Sequence, residues 1–173
     1  MKRSIAFVLL TVLSMIFSSA LFARSFDFRL NLSPSMPLGL YREVSLPVTR
    51  GTLVAACLPE QIASLGRSRR YLRRGRCAAK AEPVLKQVRG IPGDVVTVAP
   101  EGVFINGELL AHTAPLAADS HGRPLQAYTG KFRVAPGELW IFSEHAPNGW
   151  DSRYFGPIPE QSVISVVQPL LVP

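Results

Sequence analysis

Soft metal ligands are scarce in this chain of 173 residues, which has two cysteines and three histidines. Two cysteines alone make a poor metal site, and His112, His121 and His145 are scattered without ligand spacing. No metal and no cofactor are therefore expected. Sustained helical periodicity is missing, which excludes a helix bundle, and no segment repeats, which excludes a solenoid or propeller. Charged residues make up only 18% against 47% hydrophobic ones, a balance that excludes a disordered chain and fits one compact domain, globular or membrane-associated.

What is present begins with an apolar run over 5–23, about nineteen residues without a charge, which as a helix would span roughly 28 Å, close to a bilayer's hydrocarbon thickness. Lys2 and Arg3 precede it, so the positive-inside rule sets the N-terminus in the cytoplasm and the rest on the far side, although Arg24 and Arg29 weaken the asymmetry. The chain thus divides into an anchor over 1–23 and an exported domain over 24–173, placed on the periplasmic side of the inner membrane. A cleavable signal peptide is the competing reading, because Ser18, Ser19, Ala20 and Ala23 lie near the end of the run. Against it, the run is longer than the roughly 7 to 15 apolar residues usual in such a signal.

The net charge of +7 is partly concentrated in GRSRRYLRRGR, residues 66–76, which hold six arginines. Export argues against nucleic acid as a partner, leaving a solvated loop or contact with anionic lipid headgroups or a partner protein. Cys57 and Cys77 flank this segment, and an even pair in an oxidising compartment is expected to form a disulfide, closing a loop of about twenty residues worth roughly 3 kcal/mol. The remainder reads as strands between turns. The segments 51–58, 83–90, 94–107, 137–144 and 162–172 are rich in Val, Ile and Phe and bounded by Gly, Pro, Asn or Asp, with 61–72 the one helical or irregular exception. The expected fold is mainly β, one membrane helix followed by an antiparallel β domain.

The segment NLSPSMPLGLYR, residues 31–42, places two serines around a proline just beyond the apolar run. A serine nucleophile needs a base, and no histidine lies in a segment that points to that role. A lysine can serve instead if it is neutral. Lys86, in the apolar strand VLKQV, is the candidate, because burial lowers an ammonium's pKa toward the operating pH.

At this point the sequence resembles the type I signal peptidases. SPSMP, VLKQVRGIPGD and DSRYFG stand in the order of that family's three signature boxes, and three boxes in order behind an apolar N-terminus are far more specific than any one. The small size, PLGLYR after the serine and the ending DSRYFGP look more like the TraF branch, the conjugative-transfer peptidases that mature pilin subunits. The resemblance implies a Ser/Lys endopeptidase acting on an exported, pilin-like precursor, with Ser35 as nucleophile and Lys86 as general base. It implies an oxyanion hole from the Ser35 N–H and the Ser33 hydroxyl, and it makes Asp151, Ser152 and Arg153 support for the lysine. Met36, Pro37 and Leu38 would lie at the lip of the substrate cleft, which should accept small side chains before the scissile bond and bind substrate as an added strand.

Two positions depart from the housekeeping pattern. Gly149 stands where those enzymes carry a serine that helps hold the lysine, and Gln87 where they usually carry arginine, so something else must orient Lys86. Gly90, Pro92 and Gly93 read as a tight turn after a strand, with Asp94 bonding its backbone. A general signal peptidase of broad clientele and a silent β scaffold in a pilus or secretion assembly are the other readings. Joining of the new C-terminus to an amine through an acyl-enzyme is a further outcome that Ser/Lys chemistry permits.

Overall fold

A computed structural model describes residues 10–15 and 28–173. Residues 10–15 are helical, and most of the expected anchor over 1–23 lies outside the described residues; among these no helix is long and apolar enough to cross a membrane.

Eleven strands form two sheets among the described residues. The larger has seven strands in the order β1 (Phe28–Asn31), β2 (Gly39–Val44), β11 (Val163–Leu171), β3 (Leu53–Ala56), β4 (Val84–Gly90), β9 (Glu138–Phe142) and β10 (Ile158–Pro159). The smaller runs β7 (Glu108–Leu109), β6 (Gly102–Ile105), β5 (Val95–Ala99) and β8 (Gly130–Arg133). Every strand pairing is antiparallel, so the mainly β expectation holds.

Local sequence accounts for the strands. In β5, Val96 and Val98 are buried while Val95, Thr97 and Ala99 are half-buried, the period of two that a strand with one covered face requires. The stretch 94–107 is not one strand. Ala99 pairs with Gly102, which leaves Pro100 and Glu101 as the connection of a hairpin. Asn106 and Gly107 then turn the chain into β7 with φ of 52° and 90°, the left-handed pair that a tight hairpin demands. The turn after β4 is as the sequence implied, since Asp94 accepts a hydrogen bond from the Ile91 N–H at 2.9 Å and pairs with Arg50 at 2.5 Å.

Three apolar clusters hold the sheets. One gathers Val54, Val88, Ile141 and Ile158 from the larger sheet beneath helix α1 (Glu60–Ser68). A second joins Val96, Val98 and Val103 of the smaller sheet to Trp140 and Phe142 of β9. The third packs Met36 against Tyr41, Ala55, Leu85 and Val167. Strand β4 is therefore apolar on both faces, which explains its near-continuous Val and Leu pattern and leaves Lys86 only 4% exposed.

Cys57 and Cys77 are joined in a disulfide. The arginine segment it closes is not a solvated loop throughout. Its first part is helix α1, and its second is bound down: the Tyr71 hydroxyl donates to Asp119 at 2.6 Å, Arg123 pairs with the same carboxylate at 2.6 Å, and Arg73 donates to the Leu32 carbonyl at 3.3 Å. The contacts of Tyr71 and Arg73 are long in sequence, so composition alone could not show them.

Candidate active site

The segment after β1 is shaped by Asn31, a buried side chain. Its amide nitrogen donates to the carbonyls of Ser33, Met36 and Pro37 at 3.0, 3.1 and 2.9 Å, and its oxygen accepts the Ser33 N–H at 3.1 Å. Tyr41 adds a hydroxyl to the Pro37 carbonyl at 2.7 Å. The chain between β1 and β2 is thereby wound around one amide, and the Ser33 and Ser35 hydroxyls come within 3.1 Å of each other.

Ser33, Ser35 and Lys86 line one cavity of about 420 Å³, which Gly149, Trp150 and Tyr154 also border. Burial pushes the Lys86 ammonium down from 10.5 to about 8; the negative charge of Asp151 opposes that shift and the positive charge of Arg153 reinforces it. A strand interior does this because removing an ammonium from water penalises its charged form.

Behind the lysine lies a wholly buried ion pair. Arg153 meets Asp151 through two parallel hydrogen bonds, Nε to Oδ1 and Nη2 to Oδ2, both 2.9 Å. Its remaining donors reach the carbonyls of His112, Pro147 and Gly149 at 3.2, 3.0 and 2.9 Å. Asp151 caps the short helix α2 (Ser152–Phe155) by accepting the Arg153 N–H at 3.1 Å, and it also accepts the Ser143 N–H at 3.0 Å. The Ser152 hydroxyl accepts the Ile141 N–H at 3.0 Å, which fastens α2 to β9. With every partner in place, the pair survives burial that would otherwise be costly.

The structure thus brings Ser33, Ser35 and Lys86 to one cavity, with Asp151, Ser152 and Arg153 packed beneath its wall. It does not bring Met36, Pro37 and Leu38 there. Met36 packs into an apolar cluster, the Pro37 carbonyl is taken by Asn31 and Tyr41, and Leu38 is exposed. Their apolar character, read as a cleft lip, serves packing in the first case and faces solvent in the last.

Two residues were missed in the sequence. Asn31 carried a usable signal, since Asn-x-Ser favours a local side-chain turn. Ser143 carried none. It is fully buried at the end of β9, its hydroxyl donates to the Ser35 carbonyl, and its N–H holds Asp151.

The chain is similar to known proteins over most of its length. The family described as signal peptidase, peptidase S26, matches residues 1–171. A conjugal transfer protein TraF of Agrobacterium tumefaciens is 38% identical over 160 residues, covering 90% of this chain and 89% of that protein. A plasmid transfer protein TraF of Escherichia coli is 34% identical over 145 residues, 83% of this chain and 82% of its own. A signal peptidase I of Bacillus subtilis is 28% identical over 92 residues, 49% of this chain and 55% of that one.

Proposed function

The chain belongs to the signal peptidase family, peptidase S26, and from that premise we propose that it is a membrane-anchored Ser/Lys endopeptidase that matures an exported precursor, a conjugative pilin subunit. The observation that carries this reading is a fully buried lysine, depressed to about 8, in the same cavity as Ser35 and backed by the Asp151–Arg153 pair.

The chemistry proceeds in two halves. Neutral Lys86 takes the proton of the Ser35 hydroxyl as Oγ attacks the carbonyl carbon before the scissile bond. The oxyanion is held by the Ser35 N–H and the Ser33 hydroxyl, each such donor being worth about 3 kcal/mol. As the C–N bond breaks, the leaving amine takes the proton back from the Lys86 ammonium, and an ester to Ser35 remains. A water, or an amine held near the ester, then gives its proton to Lys86 as it attacks; the ester C–O bond to Ser35 breaks and the Lys86 ammonium returns the proton to Ser35 Oγ. Water yields a linear product and the precursor's own amine a circular one.

The run over 5–23 and the charges before it support a single-pass anchor in the cytoplasmic membrane, with the catalytic domain on the periplasmic side. Pilin as substrate is supported by relatives named for conjugal and plasmid transfer, which match far more of the chain than the Bacillus signal peptidase does. General removal of signal peptides is the second reading, and it rests on that shorter match.

The test is co-expression of the full chain with a conjugative pilin precursor, with the product weighed by mass spectrometry. The expected result is a product shortened at one bond, lost in Ser35→Ala and in Lys86→Ala although both remain folded. Near wild-type cleavage by either variant would remove the dyad. Cleavage of secretory precursors alone would transfer the proposal to the general peptidase.

A further inference from the structure

Ser143 has no part in the chemistry just described, yet it joins three of its components. Its hydroxyl donates to the carbonyl of Ser35, from which it is separated by 108 residues of chain. Its N–H donates to Oδ2 of Asp151, the same oxygen that receives Nη2 of Arg153. It also follows directly on Phe142, the last residue of β9, which pairs with Gln87 of β4, the neighbour of Lys86.

Gly149 makes this possible. A Cβ built there would meet the Cβ of Ser143 at 2.9 Å, closer than Cβ atoms approach, and Nη2 of Arg153 at 3.2 Å, a tight contact. The space beside the Asp151–Arg153 pair thus admits one side chain, and Ser143 fills it from the strand. Ser143 is fully buried, so water does not compete for its hydroxyl.

We infer that Ser143 is the positioning residue of the Ser35–Lys86 dyad: by holding the Ser35 carbonyl it sets the backbone torsion of the nucleophile, and through its N–H and its place in the sheet it references that torsion to Asp151 and to the lysine strand. This rests on the Ser/Lys reading above. Ser143 touches no reacting atom. It determines whether the Ser35 hydroxyl points at the lysine, and misplacement by about 1 Å is enough to cost on the order of a hundredfold in rate.

The full chain in detergent micelles, given a peptide with Ala-Gln-Ala before the scissile bond, tests the inference by kinetics. Ser143→Ala lowers kcat by about ten- to a hundredfold and leaves KM within about twofold, with the rising limb of the pH profile unmoved, because Asp151, Arg153 and the burial of Lys86 are unchanged. Gly149→Ser alone is also impaired, through its collision with Ser143. Ser143→Gly combined with Gly149→Ser recovers activity above either single variant, because one hydroxyl then occupies the shared space. Hydrogen exchange supplies a measure independent of turnover. In Ser143→Ala the amides of Ser33, Ser35 and Met36 exchange about tenfold faster while those of β4 and β9 do not change.

Full kcat in Ser143→Ala, unaltered exchange at Ser33, Ser35 and Met36, or strictly additive losses in the double variant would each overturn the inference. If Ser35→Ala or Lys86→Ala retained activity, the Ser/Lys reading itself would fall. If those two were inactive and Ser143→Ala fully active, only the positioning role would fall.

Discussion

Arg153 grips Asp151 with two parallel 2.9 Å hydrogen bonds, and neither side chain has any exposure to solvent. Charges so enclosed are tolerated because each finds its complement. The carboxylate takes two backbone N–H groups as well as the guanidinium, and the guanidinium spends its other donors on loop carbonyls. The pair therefore fixes the loop before α2, the end of β9 and the wall behind Lys86 together.

Asp151→Asn keeps the shape and removes the charge, leaving Arg153 buried without a counter-ion. Breaking one partner of a buried pair costs about 3 to 5 kcal/mol, which should lower the unfolding midpoint by on the order of 10 °C in a domain of this size. Because Asp151 raises the Lys86 pKa and Arg153 lowers it, the same substitution should move the rising limb of activity toward lower pH while reducing kcat more than KM. Calorimetry and a pH profile check the two parts separately. An unchanged limb would show that Asp151 does not act electrostatically on the lysine.

Activity of the native chain should rise with pH through about 8 as Lys86 loses its proton. A profile maximal near about pH 5 and declining toward about pH 9, in folded protein, would contradict a lysine base.

Stability follows the same titration. The unfolded lysine binds a proton below about 10.5, whereas the folded one does so only below about 8. Between these values the unfolded state holds more protons, so stability increases with pH across the window, and below about 8 the full penalty persists. That penalty is on the order of 3 kcal/mol. Lys86→Met should therefore be more stable than the native chain at about pH 7, and the advantage should shrink toward about pH 10.5. Chemical denaturation at both pH values measures it, and equal gains at the two would remove burial of the charge as the cause.

Ser33→Ala should fold normally and lose about a hundredfold in kcat, if its hydroxyl leaves the Ser35 hydroxyl to meet the oxyanion. A loss confined to KM would assign Ser33 to substrate binding.

Replacing Cys57 and Cys77 together by serine should cost roughly 3 kcal/mol by releasing the loop between them. The loss should be accompanied by faster proteolysis at the arginines of that segment. If only stability falls, the contacts of Tyr71, Arg73 and Arg123 are sufficient to hold the segment without the bridge.

Features written in neighbouring residues were legible before any tertiary contact. The three motif boxes are contiguous, so Ser35, Lys86 and the Asp151–Arg153 pair could be named from them. Lys86 lies in a run of Val and Leu, so its burial followed from its neighbours. The five apolar segments contain strands because short apolar runs and the turn residues that bound them are written in consecutive positions. Tertiary structure decided what depends on distant contacts. The strands β1 and β2 were not read: FRLN alternates, but Phe28 and Leu30 are its exposed residues and Asn31 its buried one, and both strands form by pairing, β1 with β2 and β2 also with β11. In the arginine segment Arg70, Arg73, Arg74 and Arg76 are exposed, as a solvated loop would have them, while part of the segment is held by Asp119, Arg123 and Leu32, all distant in the chain. Ser143 was invisible for the same reason. Its role depends on a carbonyl 108 residues away and on a missing side chain at Gly149, and neither leaves a periodic trace around a single serine.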